Sequence, residues 1–306
     1  MVNTLQRLVN LFRDRNFILL LSLVLGLTLH QGAKWTDSFL LPVLIFVMTI
    51  SMTNISRAIL QNPRRWVKPI MTSLTVNYLL LGGTMISLAY MLGLSEPYLT
   101  GFIVLASAPP AIAVVPFTHF LGGDPDYSLV GFTSCYLGAF IVTPLTLSVF
   151  LGSQPGFHVR ILTLLAELIV IPFVLSRILI RYSVDEKIEP YKGTLVNWSF
   201  FVIVYTIVGL NNEVFLRDPL SLVPLAVIVA CGTFVMGYVA ERIGEWLEVG
   251  PGKTMSLVLL GTSKNSGFAA GLAITLFSVE STVPSTITTV FMLLYFIFLD
   301  LKKRND

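Results

Sequence analysis

The sequence predicts an all-α, polytopic membrane protein, and three observations carry that prediction. Hydrophobic residues make up 55% of the 306 residues and charged residues only 12%, about half the share of a soluble domain. Mean hydropathy is +0.81. Apolar runs of about 20 residues, the length that crosses a bilayer as a helix, recur along the whole chain between short polar breaks.

Ten such segments follow in order: 16–32, 38–54, 70–94, 98–121, 126–151, 159–181, 194–211, 219–240, 254–278 and 282–300. The first comes after Arg7, Arg13 and Arg15 and is not followed by a small-x-small cleavage site. It therefore reads as a membrane helix and not a removable leader. The second is short and holds Pro42. Turn chemistry separates the rest, with Gln61-Asn62-Pro63, Gly122-Gly123-Asp124-Pro125 and Gly250-Pro251-Gly252 as the clearest stops. No soluble domain, long linker or low-complexity tract is expected, so residues 1–306 read as one membrane domain.

Loop charge orients the segments. With a cytoplasmic N-terminus, sixteen of the twenty lysines and arginines fall on the cytoplasmic side. Only Lys34, Arg160 and Arg217 fall outside, and Lys264 falls within a segment. Both termini are then cytoplasmic, in the cell (inner) membrane. A net charge of +3 is too small to suggest a nucleic-acid partner. Cys135 and Cys231 both lie in apolar runs, which excludes a disulfide framework or a Cys-x-x-Cys metal site.

Ten segments divide after Gly152 into repeats of about 1–152 and about 153–306. Five is odd, so the second repeat enters the membrane from the opposite side, a plan common among secondary transporters. Binding sites in that plan lie at interrupted segments in corresponding positions of the two repeats, and such a pair exists here. Ser107-Ala108-Pro109-Pro110-Ala111 interrupts the fourth segment, where two prolines remove donors and push Ala108 out of the helical region. Gly261-Thr262-Ser263-Lys264-Asn265-Ser266-Gly267 interrupts the ninth. Irregular backbone at that depth must line a protein-enclosed cavity. Two crossing breaks would aim half-helix N-termini at one point, and such termini favour anions. The competing reading of Pro109 and Pro110 is a kink in a continuous helix.

Lys264 is the most informative residue. A lysine at mid-membrane costs roughly 2.5–3.5 kcal/mol on insertion scales and needs compensation. It can act as a substrate counter-charge, a proton carrier or an internal substitute for a coupling cation. The alternatives are snorkelling to the surface or a structural pair with a carboxylate, for which Glu167 is the candidate. His119 is a candidate proton relay, or simply a histidine at a cytoplasmic helix end. Asn77, Thr133, Ser134 and Tyr136 bring polar groups to mid-membrane depth. Asn77 and Thr133 are expected to face the cavity with Thr262, Ser263, Asn265 and Ser266.

These residues resemble the bile acid:sodium symporter superfamily, including its arsenite permease branch. The resemblance rests on the Ser107–Val115 stretch, the following Gly123-Asp124-Pro125-Asp126-Tyr127-Ser128-Leu129-Val130, and Lys264-Asn265-Ser266-Gly267-Phe268-Ala269-Ala270-Gly271 in the ninth segment. It implies crossing discontinuous helices four and nine. It also shows departures. The family's Ser-Asn pair of sodium ligands falls on Val114 and Val115, its glutamate on Leu260 and its glutamine on Lys264. Asn77 matches a third-helix glutamine. Sodium needs oxygen ligands, so both sodium sites are expected to be absent or crippled. In the arsenite branch a cysteine falls on Pro110 and a glutamate near Gly267.

The function expected is sodium-independent transport of a small organic anion by alternating access, with protons as a candidate coupling ion. Neither cofactor nor metal is expected. The alternatives are a sodium-coupled symporter with remodelled ligands and a non-transporting receptor on the same fold. An enzyme is disfavoured, because no nucleophile with a base and no phosphate loop stands out.

Overall fold

A computed structural model describes residues 12, 15–53, 63–152, 157–217 and 219–305. Every regular element among the described residues is helical. Seven continuous helices are long and apolar enough to span a membrane. The remaining expected segments are short or divided, which is why ten runs in the sequence give fewer unbroken spans.

In chain order the elements are α1 (Arg15–Thr28), α2 (His30–Met52), α3 (Trp66–Met91), α4 (Glu96–Ser107), α5 (Val114–Leu121) and α6 (Pro125–Leu151). There follow α7 (Val159–Arg181), α8 (Val184–Leu210) and α9 (Pro219–Trp246), then α10 (Pro251–Thr262), α11 (Ser266–Leu276) and α12 (Glu280–Lys303). Two boundaries differ clearly from the sequence expectation. The second segment starts at His30 and not 38, because two short 3₁₀ turns lead into its regular part at Leu40. Pro42 therefore stands in the first regular turn, where its missing N–H is harmless. The seventh starts at Val184 and not 194, because a single left-handed residue, Ser183 (φ 53°), is enough to separate it from α7.

The chain forms two compact units, each drawn from both halves of the sequence. One holds α1, α2, α7 from Leu164 and α8. There α1 packs along α8, with Tyr205 donating to the Leu29 carbonyl at 2.7 Å and the hydroxyls of Thr36 and Thr206 bonded at 2.6 Å.

The other unit holds α3 to α6 and α9 to α12. In it α4 packs along α11 and α5 along α10. The local chemistry of the ends is explicit. Gly122 (φ 76°) closes α5 in the left-handed conformation that glycine adopts without strain. Asp124 caps α6 by accepting from the Tyr127 N–H at 3.0 Å, and Pro125 takes the first helical position. The same Asp124 backbone is tied to the start of α10. Its N–H donates to the Gly252 carbonyl at 2.9 Å, and Ser256 Oγ bonds both its N–H and its carbonyl at 2.9 Å. One end of each divided segment is thus stapled to the other.

α3 loosens into a π-helical stretch over Thr75–Gly82, a distortion that often marks functional positions. Gly82 lies so close to α4 that a Cβ there would sit 2.9 Å from the Ala106 carbonyl oxygen. Only a glycine lets α3 approach the end of α4 this closely.

Candidate functional site

The fourth segment is helical to Ser107 and resumes at Val114. Ala108, ahead of Pro109, is extended (φ −71°, ψ 149°), as the proline ring requires. The ninth is helical to Thr262 and resumes at Ser266. Ser263 is extended (φ −116°, ψ 129°), and Asn265 caps α11 by accepting from the Phe268 N–H at 3.0 Å. The two interruptions touch directly: the Asn265 N–H donates to the Pro109 carbonyl at 2.8 Å.

Lys264 sits at this contact with 0% exposure and is the only fully buried charged residue among the described residues. Its ammonium donates to Asn77 Oδ1 at 2.9 Å, to the Ala106 carbonyl at 2.7 Å and to the Ala108 carbonyl at 2.9 Å. An ammonium has three hydrogens, so all are engaged. The ring of Tyr78 lies 4.6 Å from Nζ, within cation–π range. Tyr78 is itself anchored, its hydroxyl donating to the Cys135 carbonyl at 2.6 Å. Both carbonyls belong to the end of α4, where the helix dipole presents partial negative charge. Three charge-assisted bonds at about 1.5–3 kcal/mol each exceed the roughly 2.5–3.5 kcal/mol insertion cost of a lysine. That balance explains how the charge is tolerated there.

Asn77 completes the junction. Its Nδ2 donates to the Leu260 carbonyl at 2.8 Å and the Ser263 carbonyl at 3.1 Å. One side chain on α3 thus satisfies the end of α10 with its amide hydrogens and holds Lys264 with its oxygen. α6 closes the other side. Asn265 Nδ2 donates to the Tyr136 hydroxyl at 2.7 Å, which donates to the Pro110 carbonyl at 3.3 Å. Thr143 Oγ1 donates to the Ser107 carbonyl at 2.9 Å.

The other residues singled out in the sequence divide into three groups. Ser266 Oγ accepts from Thr289 at 2.7 Å. Thr262 and Ser134 bond carbonyls of their own helices, at 2.8 Å and 2.7 Å. Ser263 Oγ and Thr133 Oγ1 are buried hydroxyls without a hydrogen-bond partner among the described residues, as are Ser73 Oγ and Ser285 Oγ. His119 is exposed near the end of α5. The hydrogens of the Lys264 ammonium all go to neutral oxygens. Sequence reasoning missed Tyr78 and Thr143, and it missed the Ala106 and Ala108 carbonyls. A backbone oxygen carries no residue-type signal at all.

A family model described as the Sodium Bile acid symporter family matches residues 41–217. The chain belongs to that family. The arsenical-resistance protein Acr3 of Alkaliphilus metalliredigens (strain QYMF) is 26% identical over 208 residues. That match takes in 64% of this chain and 57% of the relative, so the chain spans little more than half of the curated relative's length. The chain is thus kin to proteins described as symporters. Its departures now have a setting. Val114 and Leu260, at positions where the resemblance puts sodium ligands, are both 0% exposed and apolar. Lys264, at a third such position, holds an ammonium among oxygens. No group of three or more His, Cys, Asp or Glu side chains that could hold a metal ion occurs among the described residues.

Proposed function

We propose that this family member is a sodium-independent secondary transporter of small organic anions, in which the tethered ammonium of Lys264 stands where a coupling cation would bind. The observation that carries this reading is the ammonium's complete engagement by Asn77 Oδ1 and the Ala106 and Ala108 carbonyls. Oxygen ligands converging on one positive centre from α3 and the end of α4 are what a hard monovalent cation would need. With all three hydrogens engaged, Lys264 holds the junction together and is not the direct counter-charge of the substrate.

In this reading ten transmembrane segments form two inverted repeats, about 1–152 and about 153–306, within one transporter domain. Discontinuous helices four and nine cross at the Lys264 junction. Both termini are cytoplasmic, as the loop charges favour, and the protein works in the cell membrane by alternating access. The anion binds beside the junction, where the buried hydroxyls of Thr133 and Ser263 lack protein partners.

A second reading comes from the arsenical-resistance relative, and it makes an arsenical the substrate. It is the weaker one. Pro110 stands where the resemblance places a cysteine, and the thiol of Cys135 is 0% exposed.

Uptake of an organic-anion panel into proteoliposomes, with and without sodium, tests the proposal. Wild-type uptake is expected to be indifferent to sodium. Lys264→Gln, which restores an oxygen ligand and removes the charge, is expected to acquire a sodium response. A strict sodium requirement in the wild type would overturn the proposal.

A further inference from the structure

A second feature lies apart from the Lys264 network. A cavity of about 320 Å³ opens between α9, α10 and α12, within the size range of small-ligand sites. Phe234, Met255 and the ring of Tyr295 give it an apolar wall, while Glu241, Lys302 and Lys303 line the polar side. Phe234 and Tyr295 meet edge to face with centroids 5.1 Å apart, so the apolar wall is a packed surface.

The depth of this cavity follows from its walls. α9 ends at Trp246 and α12 at Lys303, so the polar side lies where two spans end together. Trp246 is 81% and Tyr238 58% exposed, the placement of aromatic side chains at a membrane–water boundary. Lys302 is held by Glu241 at 2.9 and 3.1 Å, and Lys303 donates to the Phe120 carbonyl at 2.9 Å. Each ammonium carries three hydrogens, so both retain donor capacity. Two lysines against one glutamate leave the rim with one net positive charge. At the other end the Tyr295 hydroxyl contacts the Gly237 position, beside which the Thr262 methyl lies. Thr262 is the last helical residue before the Ser263-Lys264 interruption.

We propose that this cavity holds one anionic phospholipid of the surrounding bilayer, its phosphate at Lys302 and Lys303 and the start of one acyl chain along Phe234, Met255 and Tyr295. Three features favour that occupant. The rim is positive, as phosphate recognition at a bilayer surface requires. The wall turns apolar toward the membrane interior. The whole lies at the depth where a lipid changes from headgroup to chain. The bound chain would reach the helix that precedes the Lys264 junction, so the lipid would stiffen the half-helix on which that junction is built.

Thermal unfolding of the full chain in detergent tests this, with phosphatidylglycerol, phosphatidylcholine or oleate added. Phosphatidylglycerol is expected to raise the midpoint by several degrees more than the other two, and native mass spectrometry should retain one phosphatidylglycerol per protein. Lys302→Glu reverses the rim charge and Met255→Trp fills the apolar part. Each is expected to abolish the phosphatidylglycerol-specific increment while leaving the lipid-free midpoint nearly unchanged. Equal increments from the two phospholipids would overturn the assignment, and so would oleate matching phosphatidylglycerol or both variants keeping the increment. Should the variants fail to fold, lipid retention by the wild type decides. Preferential retention of one phosphatidylglycerol supports the site, and equal retention of both lipids rejects it.

Discussion

The two interruptions that meet at Lys264 are chemical opposites. The one after Ser107 is apolar, and with the end of α4 it contributes acceptors: the carbonyls of Ala106, Ala108, Pro109 and Pro110 all receive hydrogen bonds. The one after Thr262 is polar and contributes mainly donors: the Lys264 ammonium, the Asn265 N–H and the Asn265 amide. Proline removes N–H groups and leaves carbonyls unpaired. A polar, charged interruption opposite is therefore the matching solution to the same desolvation problem. Neither interruption could stand alone in a membrane, because unpaired peptide groups there cost several kcal/mol each. Together they form one junction, with Tyr136 bonded to both sides and Asn77 to the ninth segment.

The comparison can be broken most severely at its charged member. Lys264→Met leaves three buried acceptors without donors, each costing about 1–3 kcal/mol. A loss of at least about 3 kcal/mol is expected, or roughly 6 °C or more in midpoint, together with loss of uptake. An unchanged midpoint would show that the ammonium is not what joins the two interruptions. Asn77→Leu comes next. It strands the Leu260 and Ser263 carbonyls and one Lys264 hydrogen, for an expected cost of about 2–4 kcal/mol, read as chemical denaturation in detergent.

Finer probes sharpen the picture from the α6 side. Asn265→Ala removes the α11 cap, worth about 1 kcal/mol, and the bond to Tyr136, worth about as much again. Tyr136→Phe alone is expected to cost about 1 kcal/mol. A double-mutant cycle between them should give a coupling of at least about 0.5 kcal/mol, and additive effects would mean that the hydroxyl does not link the interruptions. Thr143→Val gives the smallest change, about 0.5–1 kcal/mol, because only the bond to the Ser107 carbonyl is lost.

Much of this junction was legible in the residues. Pro109 and Pro110 forbid a continuous helix by covalent geometry. Gly122, Asp124 and Pro125 carry the stop, cap and start of neighbouring helices within four positions. Lys264 announces itself because a charge in an apolar run needs compensation wherever it ends up. What could not be read was the compensation itself. Asn77 was singled out in the sequence and takes one hydrogen of the ammonium, yet the other two go to carbonyls that any residue would supply. Tyr78 follows Asn77 directly, and nothing in the run Val76-Asn77-Tyr78-Leu79 marks its ring as the cation's neighbour.

The chain by itself determined that it crosses a membrane, where its helices stop, which two are interrupted and which buried charge must be answered. Those are short-range matters of hydropathy, proline and glycine geometry and capping, settled within a few residues. Only the tertiary structure decided what answers the charge, since Lys264 and its carbonyl partners are 156 and 158 residues apart. Peptide oxygens are the same at every position. Which of them faces a given ammonium is set by how whole helices pack, down to the glycine that lets α3 lie against the end of α4.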